Sequence, residues 1–203
     1  MSADNSMSTR QSPGRVRWRR FAYAAVPAVA IAGALIGLTA KGAIASSISV
    51  SGEQYLVTAK QLNGHGFVQF GGQLTSDQSG KQVQEPVITS GIASATLKSL
   101  CQSVNVGPVT MRLTAGNGAA PVSASNMIVD ASGQTGDLAI FHNVTTGQDA
   151  STLTKDGTET GEPGGFGQQA DTVTIDNLVQ HTWLTTAGTF KLPGLSLGFG
   201  GSC

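Results

Sequence analysis

The sequence predicts an all-β domain, a single curved β-sandwich or jelly roll, with an irregular β-solenoid as the alternative. Three observations predict it. Apolar alternation with period two recurs along residues 46–203, the mark of half-buried strands. No long apolar pattern of period 3.6 appears there. Gly-rich breaks at Gly71-Gly72, Asn117-Gly118, Gly164-Gly165 and Gly200-Gly201 separate the runs, as turns require. Charged residues make up 12% of the chain, which suits a turn-rich β protein better than a charged helical one.

Ahead of this domain lies a different kind of sequence. Residues 1–45 carry six basic residues against one acid, Asp4, and Phe21 to Ala40 contain no charge. A basic flank followed by an apolar stretch is the order of an export signal. Ala43-Ile44-Ala45 is a small-x-small site for signal peptidase, so cleavage before Ser46 is expected. The rival reading is a retained anchor helix, since about 20 apolar residues suffice to cross a bilayer. Both readings divide the chain into residues 1–45 and an exported domain of residues 46–203, and place that domain at the extracellular face of the cytoplasmic membrane or in the cell envelope.

Residues 46–203 retain six basic residues (12 minus 6) against eleven acidic ones (12 minus 1), a net charge near −5. That balance excludes a phosphate-tracking nucleic-acid surface. The strands expected in chain order are Ile48 and Val50; Tyr55, Val57 and Ala59; Phe67 to Phe70; Val109, Met111, Leu113 and Ala115; Met127 and Val129; Leu138 to Phe141; Val173 and Ile175; Phe190 and Leu192; and Leu195, Leu197 and Phe199. A weak repeat of uneven spacing links Ala95 to Gln102 with Val173 to Gln180, and more loosely Val57 to Leu62 with Ala139 to Val144. In each copy the next apolar residue falls an odd number of positions later, as from Ala59 to Leu62. A bulge or corner there would keep that residue on the buried side. Residues 145–165 read as a long solvated loop.

Cys101 and Cys203 are the only cysteines, and in an oxidising compartment they are expected to join. Two cysteines make no zinc site alone. Gly194-Leu195-Ser196-Leu197-Gly198 matches the nucleophile elbow of hydrolases, but that elbow needs a following helix and a later histidine. Here the last histidine, His181, precedes Ser196. The motif therefore reads as a terminal strand with Leu195, Leu197 and Phe199 inward and Ser196 outward. His65, His142 and His181 read as ordinary positions in turns and repeats. Asp171 and Asp176, five apart on one strand, are sent to opposite faces by alternation, which breaks the paired-acid requirement of sugar hydrolysis. Asp156 to Glu162 lacks the spacing of a calcium loop. No catalytic, cofactor or metal residues are expected.

Several segments carry a resemblance. They are Arg17-Trp18-Arg19-Arg20-Phe21; Lys60-Gln61-Leu62-Asn63-Gly64-His65-Gly66-Phe67-Val68-Gln69-Phe70; Leu100-Cys101-Gln102-Ser103-Val104; Leu113-Thr114-Ala115-Gly116; Gly165-Phe166-Gly167-Gln168-Gln169-Ala170-Asp171; and Thr185-Thr186-Ala187-Gly188-Thr189-Phe190-Lys191-Leu192. Together they resemble a family of uncharacterised exported actinobacterial envelope proteins of streptomycete type, some labelled cholesterol esterase. The resemblance implies an envelope location and a partner in a small multi-spanning membrane protein, and supplies no catalytic residues. The expectation is a non-enzymatic envelope protein whose β domain binds an apolar or amphipathic ligand, such as a lipid, or a membrane-protein partner. Surface assembly is the second reading and an esterase the third.

Overall fold

The computed structural model describes residues 50–203. The expected signal or anchor of residues 1–45, the Ala43-Ile44-Ala45 cut before Ser46, and Ile48 lie outside them. Eleven strands form one sheet: β1 (Val50–Ser51), β2 (Tyr55–Gln78), β3 (Lys81–Lys98), β4 (Leu100–Val106), β5 (Val109–Ala115), β6 (Val122–Thr135), β7 (Leu138–His142), β8 (Thr145–Asp149), β9 (Phe166–Thr186), β10 (Thr189–Lys191) and β11 (Ser196–Phe199). All pairings are antiparallel except that of β1 with β2.

Two long ribbons organise the sheet. In the first, β2 runs against β3 and then β4 in unbroken register, from Gln78↔Lys81 to Leu56↔Ser103. Its two-residue turn, Ser79-Gly80, has positive φ at both positions (55° and 79°), the type I′ pattern that matches strand twist. In the second, β6, β7 and β8 run against β9 and β10, from Ser123↔Lys191 to Asp149↔Phe166. The ribbons then pair along both edges, β2 with β9 and β3 with β6. The ring β2–β3–β6–β9 closes on itself, so these strands leave few free edges. The expectation of a curved all-β domain is met; in place of a sandwich or jelly roll, one antiparallel sheet curls round its own core, and its antiparallel ribbons differ from the parallel coils of the solenoid alternative.

The curl is steep. A straight strand from Tyr55 to Asp77 would span roughly 70 Å at the usual rise per residue. Yet Asp77 pairs with Ser51, four residues before Tyr55 and so within about 14 Å of it along the chain. β2 bends back until its two ends are neighbours. Gly71-Gly72, read as a break, lies inside this strand.

Corners produce the bend. The buried set steps by three residues at Ala59/Leu62, Ile92/Ala95, Leu97/Leu100, Ala124/Met127, Ala170/Val173 and Ile175/Leu178. At three of these steps lie Ser99, Asn126 and Asn177 with φ of 53°, 47° and 49°, and Gly66 (φ 64°) lies between buried Gly64 and Phe67, while Asn143 (φ 53°) turns the chain before the exposed Val144. The left-handed conformation turns the chain by one extra residue, and Asn and Gly accept it most readily. Registered corners fall side by side: His65 pairs with Ser94 and Thr172, and Thr172 with His142. The sequence repeat is thus a row of corners crossing several strands, and its uneven spacing reflects different strand lengths.

Inside, Leu62, Phe67, Leu97, Leu100, Val122, Met127, Val173 and Leu178 pack into the main core, each gaining about 1.5–3 kcal/mol from burial if of Leu or Phe size. Phe67 and Phe141 meet with ring centroids 5.5 Å apart. Several inward polar groups are mutually bonded: Gln180 donates to Gln134 (2.7 Å), Gln168 to Gln69 (2.7 Å) and Gln69 to Ser90 (2.9 Å), whereas Thr182 Oγ1 and Trp183 Nε1 are buried without a partner among the described residues. Two small cavities of ≈ 20 Å³ each, both lined by Leu62, Met127 and Val129 among others, are each about the size of one water. The interior is otherwise filled by its own side chains.

Candidate functional site

Uncovered apolar side chains lie mainly in two regions: Leu138, Ile140, Val144 and Phe166 on and beside β7 to β9, and a set on the arm formed by β4, β5 and β11. β4 and β5 are joined by Gly107-Pro108, where Gly107 supplies a positive φ (62°), as the first position of a type II′ turn requires. β11 pairs with β5 from Ser196↔Thr114 to Phe199↔Met111. Cross-strand partners share a face, so the registers Phe199–Met111–Val104, Leu197–Leu113–Gln102 and Val109–Val106 gather these side chains on one side. Leu195 precedes them on the same alternation. Exposure there is 51% at Val106, 53% at Leu195, 60% at Leu197 and 74% at Phe199.

The expectation that Leu195, Leu197 and Phe199 face inward is thus overturned. Their alternation is real, but by the time β11 joins, the core is closed by the ring, and β11 can only extend the sheet outward. Ser196 is outward too, on the opposite face.

That opposite face is occupied by the C-terminus. Cys203 is disulfide-bonded to Cys101 with the Cα atoms 5.8 Å apart. Its amide donates to Ser103 Oγ (3.1 Å), and the Gly200 amide donates to the Thr110 carbonyl (3.0 Å). The tail crosses the back of the arm and is stapled there, while the apolar front stays open.

The other singled-out residues do not converge. Ser196 sits in the outermost strand, opposite Thr114, and among the described residues the one helix is the 3₁₀ turn Ala150–Thr152, so the strand–turn–helix of a nucleophile elbow is not formed. His65, His142 and His181 are exposed positions of β2, β7 and β9. Asp171 donates no paired acid to Asp176: it bonds Asn143 and Lys155, while Asp176 accepts from Gln61 (2.9 Å). Alternation predicted opposite faces, but the corner at Asp171-Thr172 shifts the phase and both point away from the core.

Residues 145–165 are not a solvated loop. They contain β8, the 3₁₀ turn capped by Asp149, and a segment in which Ala150 and Leu153 pack on Val68 and Phe70 in a second core. Asp156 is buried over Gly91 and accepts from the amides of Thr158 (3.2 Å) and Glu159 (3.3 Å). The sequence concealed this because its seat is made of absences, the missing side chains of Gly66 and Gly91.

Acids gather beneath this segment. Burial pushes the Asp130 carboxyl upward, against the lowering effect of a 2.6 Å bond from Thr89. Burial, then the charges of Asp156 and Asp130, push Glu159 upward. A carboxyl whose folded pKa is raised favours the folded state when protonated, and that contribution fades as pH rises through the raised value. Asp149 behaves oppositely: bonds from the Ser151 and Gly164 amides hold it low, so its cap is lost only as pH falls through that lowered value. Hydrogen exchange of residues 150–165 is therefore expected to slow as pH drops from neutral toward the upper carboxylate range, after correction for intrinsic rates. Asp130→Asn with Glu159→Gln should flatten that dependence. An unchanged profile in the double variant would refute the assignment.

Residues 51–203 match the model of a family described as a family of unknown function, DUF6230. None of the curated proteins and none of the solved structures matches the chain.

Proposed function

We propose, for a chain that belongs to the DUF6230 family of unknown function, a non-enzymatic role in the cell envelope: the domain binds an apolar or amphipathic ligand, or a small multi-spanning membrane partner, through the front of the β4–β5–β11 arm. One observation carries the reading. A contiguous face that includes Val106, Val109, Met111, Leu195, Leu197 and Phe199 is open to solvent, and monomeric proteins rarely leave such patches uncovered without a binding use. The filled interior moves any ligand from the barrel to this surface. The basic flank and the uncharged run from Phe21 to Ala40 support export, as does a disulfide that persists in oxidising surroundings.

The test is a pair of exposed substitutions, Leu197→Ser and Phe199→Ser, made together. Binding of Nile red to the variant is expected to fall several-fold, since both changes remove apolar contact surface from the front face. Ser196→Ala, on the other face, should leave binding intact. Equal binding by all three proteins would sink the reading, and ester hydrolysis lost in Ser196→Ala would favour an esterase instead.

Surface assembly is the second reading. Among the described residues β11 has β5 as its one strand neighbour, and an unpaired edge is a template for another chain. A chain that stays monomeric at high concentration would remove it.

A further inference from the structure

We infer that the occupant of the arm's front face is the surface of a lipid bilayer, with Phe199 and Leu197 inserted among the acyl chains at its boundary. This rests on the binding reading above and names the partner. Two independent features of the molecule lead to it.

The first is charge. Between Leu100 and Ala115, and again between Pro193 and Cys203, the sole charged side chain is Arg112, in a domain otherwise rich in acids. Arg112 pairs with Ser103 and Gly198, and alternation puts all three on the back of the arm. The front therefore enters a hydrocarbon boundary without burying a charge, which would cost several kcal/mol. A protein partner would typically meet a polar rim around such a patch, whereas here the apolar face runs to the end of the arm, where Phe199 is its most exposed residue.

The second is the point of entry of the chain. β1 joins the fold beside Ser76-Asp77, yet the curl of β2 brings that point back to within a few residues of Tyr55. The arm springs from the same end of β2, where Cys101 to Ser103 pair with Leu56 to Thr58. Nine residues, Lys41 to Ser49, separate the apolar run ending at Ala40 from β1, and they reach at most about 35 Å. If the run is retained as an anchor, the arm is held close to the bilayer. The arm then acts as the second of the two membrane attachments that a stable peripheral association requires.

The experiment uses the full chain reconstituted into vesicles of phosphatidylethanolamine and phosphatidylglycerol containing a phospholipid with a diazirine in its acyl chain. After illumination, adducts are mapped by mass spectrometry. Adducts are expected at Met111, Leu197 and Phe199, and Leu197→Ser with Phe199→Ser should lower them about tenfold while adducts within residues 21–40 persist. The variant's disulfide and melting curve confirm that it has folded. Adducts confined to residues 21–40 in the wild-type protein would overturn the inference. If Nile red still binds in that case, the binding face survives and only the bilayer is wrong; if neither is seen, both readings fall. Chain-to-chain cross-links through β11 in place of lipid adducts would make a second copy the occupant.

Discussion

Replacing Cys203 by Ser is expected to cost the domain about 2–5 kcal/mol and to release β11 from the arm. The magnitude follows from the length of chain the bond closes: the two cysteines are 102 positions apart, and the chain-entropy account assigns close to the upper end of that range to a loop of this size. The structural consequence is local. Without the sulfur bridge, β11 is held by a four-residue register with β5, Ser196 to Phe199, and by the single bonds from Gly200 and Cys203. Four residues of exposed edge strand cannot offset the ordering entropy of the tail, at roughly 1–2 kcal/mol per residue. Hydrogen exchange should therefore show β11 and the outer edge of β5 exchanging freely in Cys203→Ser or under reductant, while β2, β3, β6 and β9 stay protected. Nile red binding should fall in parallel, since the front face loses its β11 residues. Protection of β11 that survives reduction would show that strand pairing alone holds the arm.

Much of this fold was legible in the residues, and the failures share a cause. The strands around Val57, Val109, Met127 and Val173 follow from alternation, because a half-buried strand must alternate wherever it lies. The corners before Leu62, Leu100 and Leu178 were also legible, since an apolar residue three positions on can return to the core only if the chain gains a residue there. Closure of the ring was not. It depends on β2 meeting β9 more than a hundred residues later, and pairing partners at that distance leave no local mark. The arm was misread for this reason: Leu195, Leu197 and Phe199 alternate like core residues, and only the prior closure of the core turns them outward. One signal was available. The stretch from Pro193 to Cys203 has no charge and no polar side chain larger than serine, so nothing in it was fitted to water, and a strand buried on neither face with that composition needs something to cover it.

The second large effect is expected at Gly66, a residue whose role is to be small and to turn the wrong way. Its φ of 64° lies in the left-handed region, and a Cβ there would collide with the Lys155 carbonyl and with Ala93 Cβ. Gly66→Ala should destabilise the domain by roughly 3 kcal/mol, the sum of a conformational penalty of about 1–2 and the cost of displacing the Lys155 backbone and Ala93. Gly91→Ala is a contrasting case. The atoms in its way are the Asp156 carboxylate and Val68 Cγ2, and the carboxylate can swing out. The expected outcome is that residues 154–159 lift from the barrel and exchange rapidly, with a smaller loss of global stability. The two cases separate in a double-mutant cycle. Asp156→Ala removes the colliding carboxylate, so Gly91→Ala should cost less in that background by at least about 1 kcal/mol, whereas Gly66→Ala should keep its left-handed backbone penalty of about 1–2 kcal/mol in both. Equal costs for Gly91→Ala in the two backgrounds would mean that the acid does not rest on β3, and that the segment from Ala150 to Gly165 is held by its other contacts, Ala150 and Leu153 in the second core and Lys155 on Asp171.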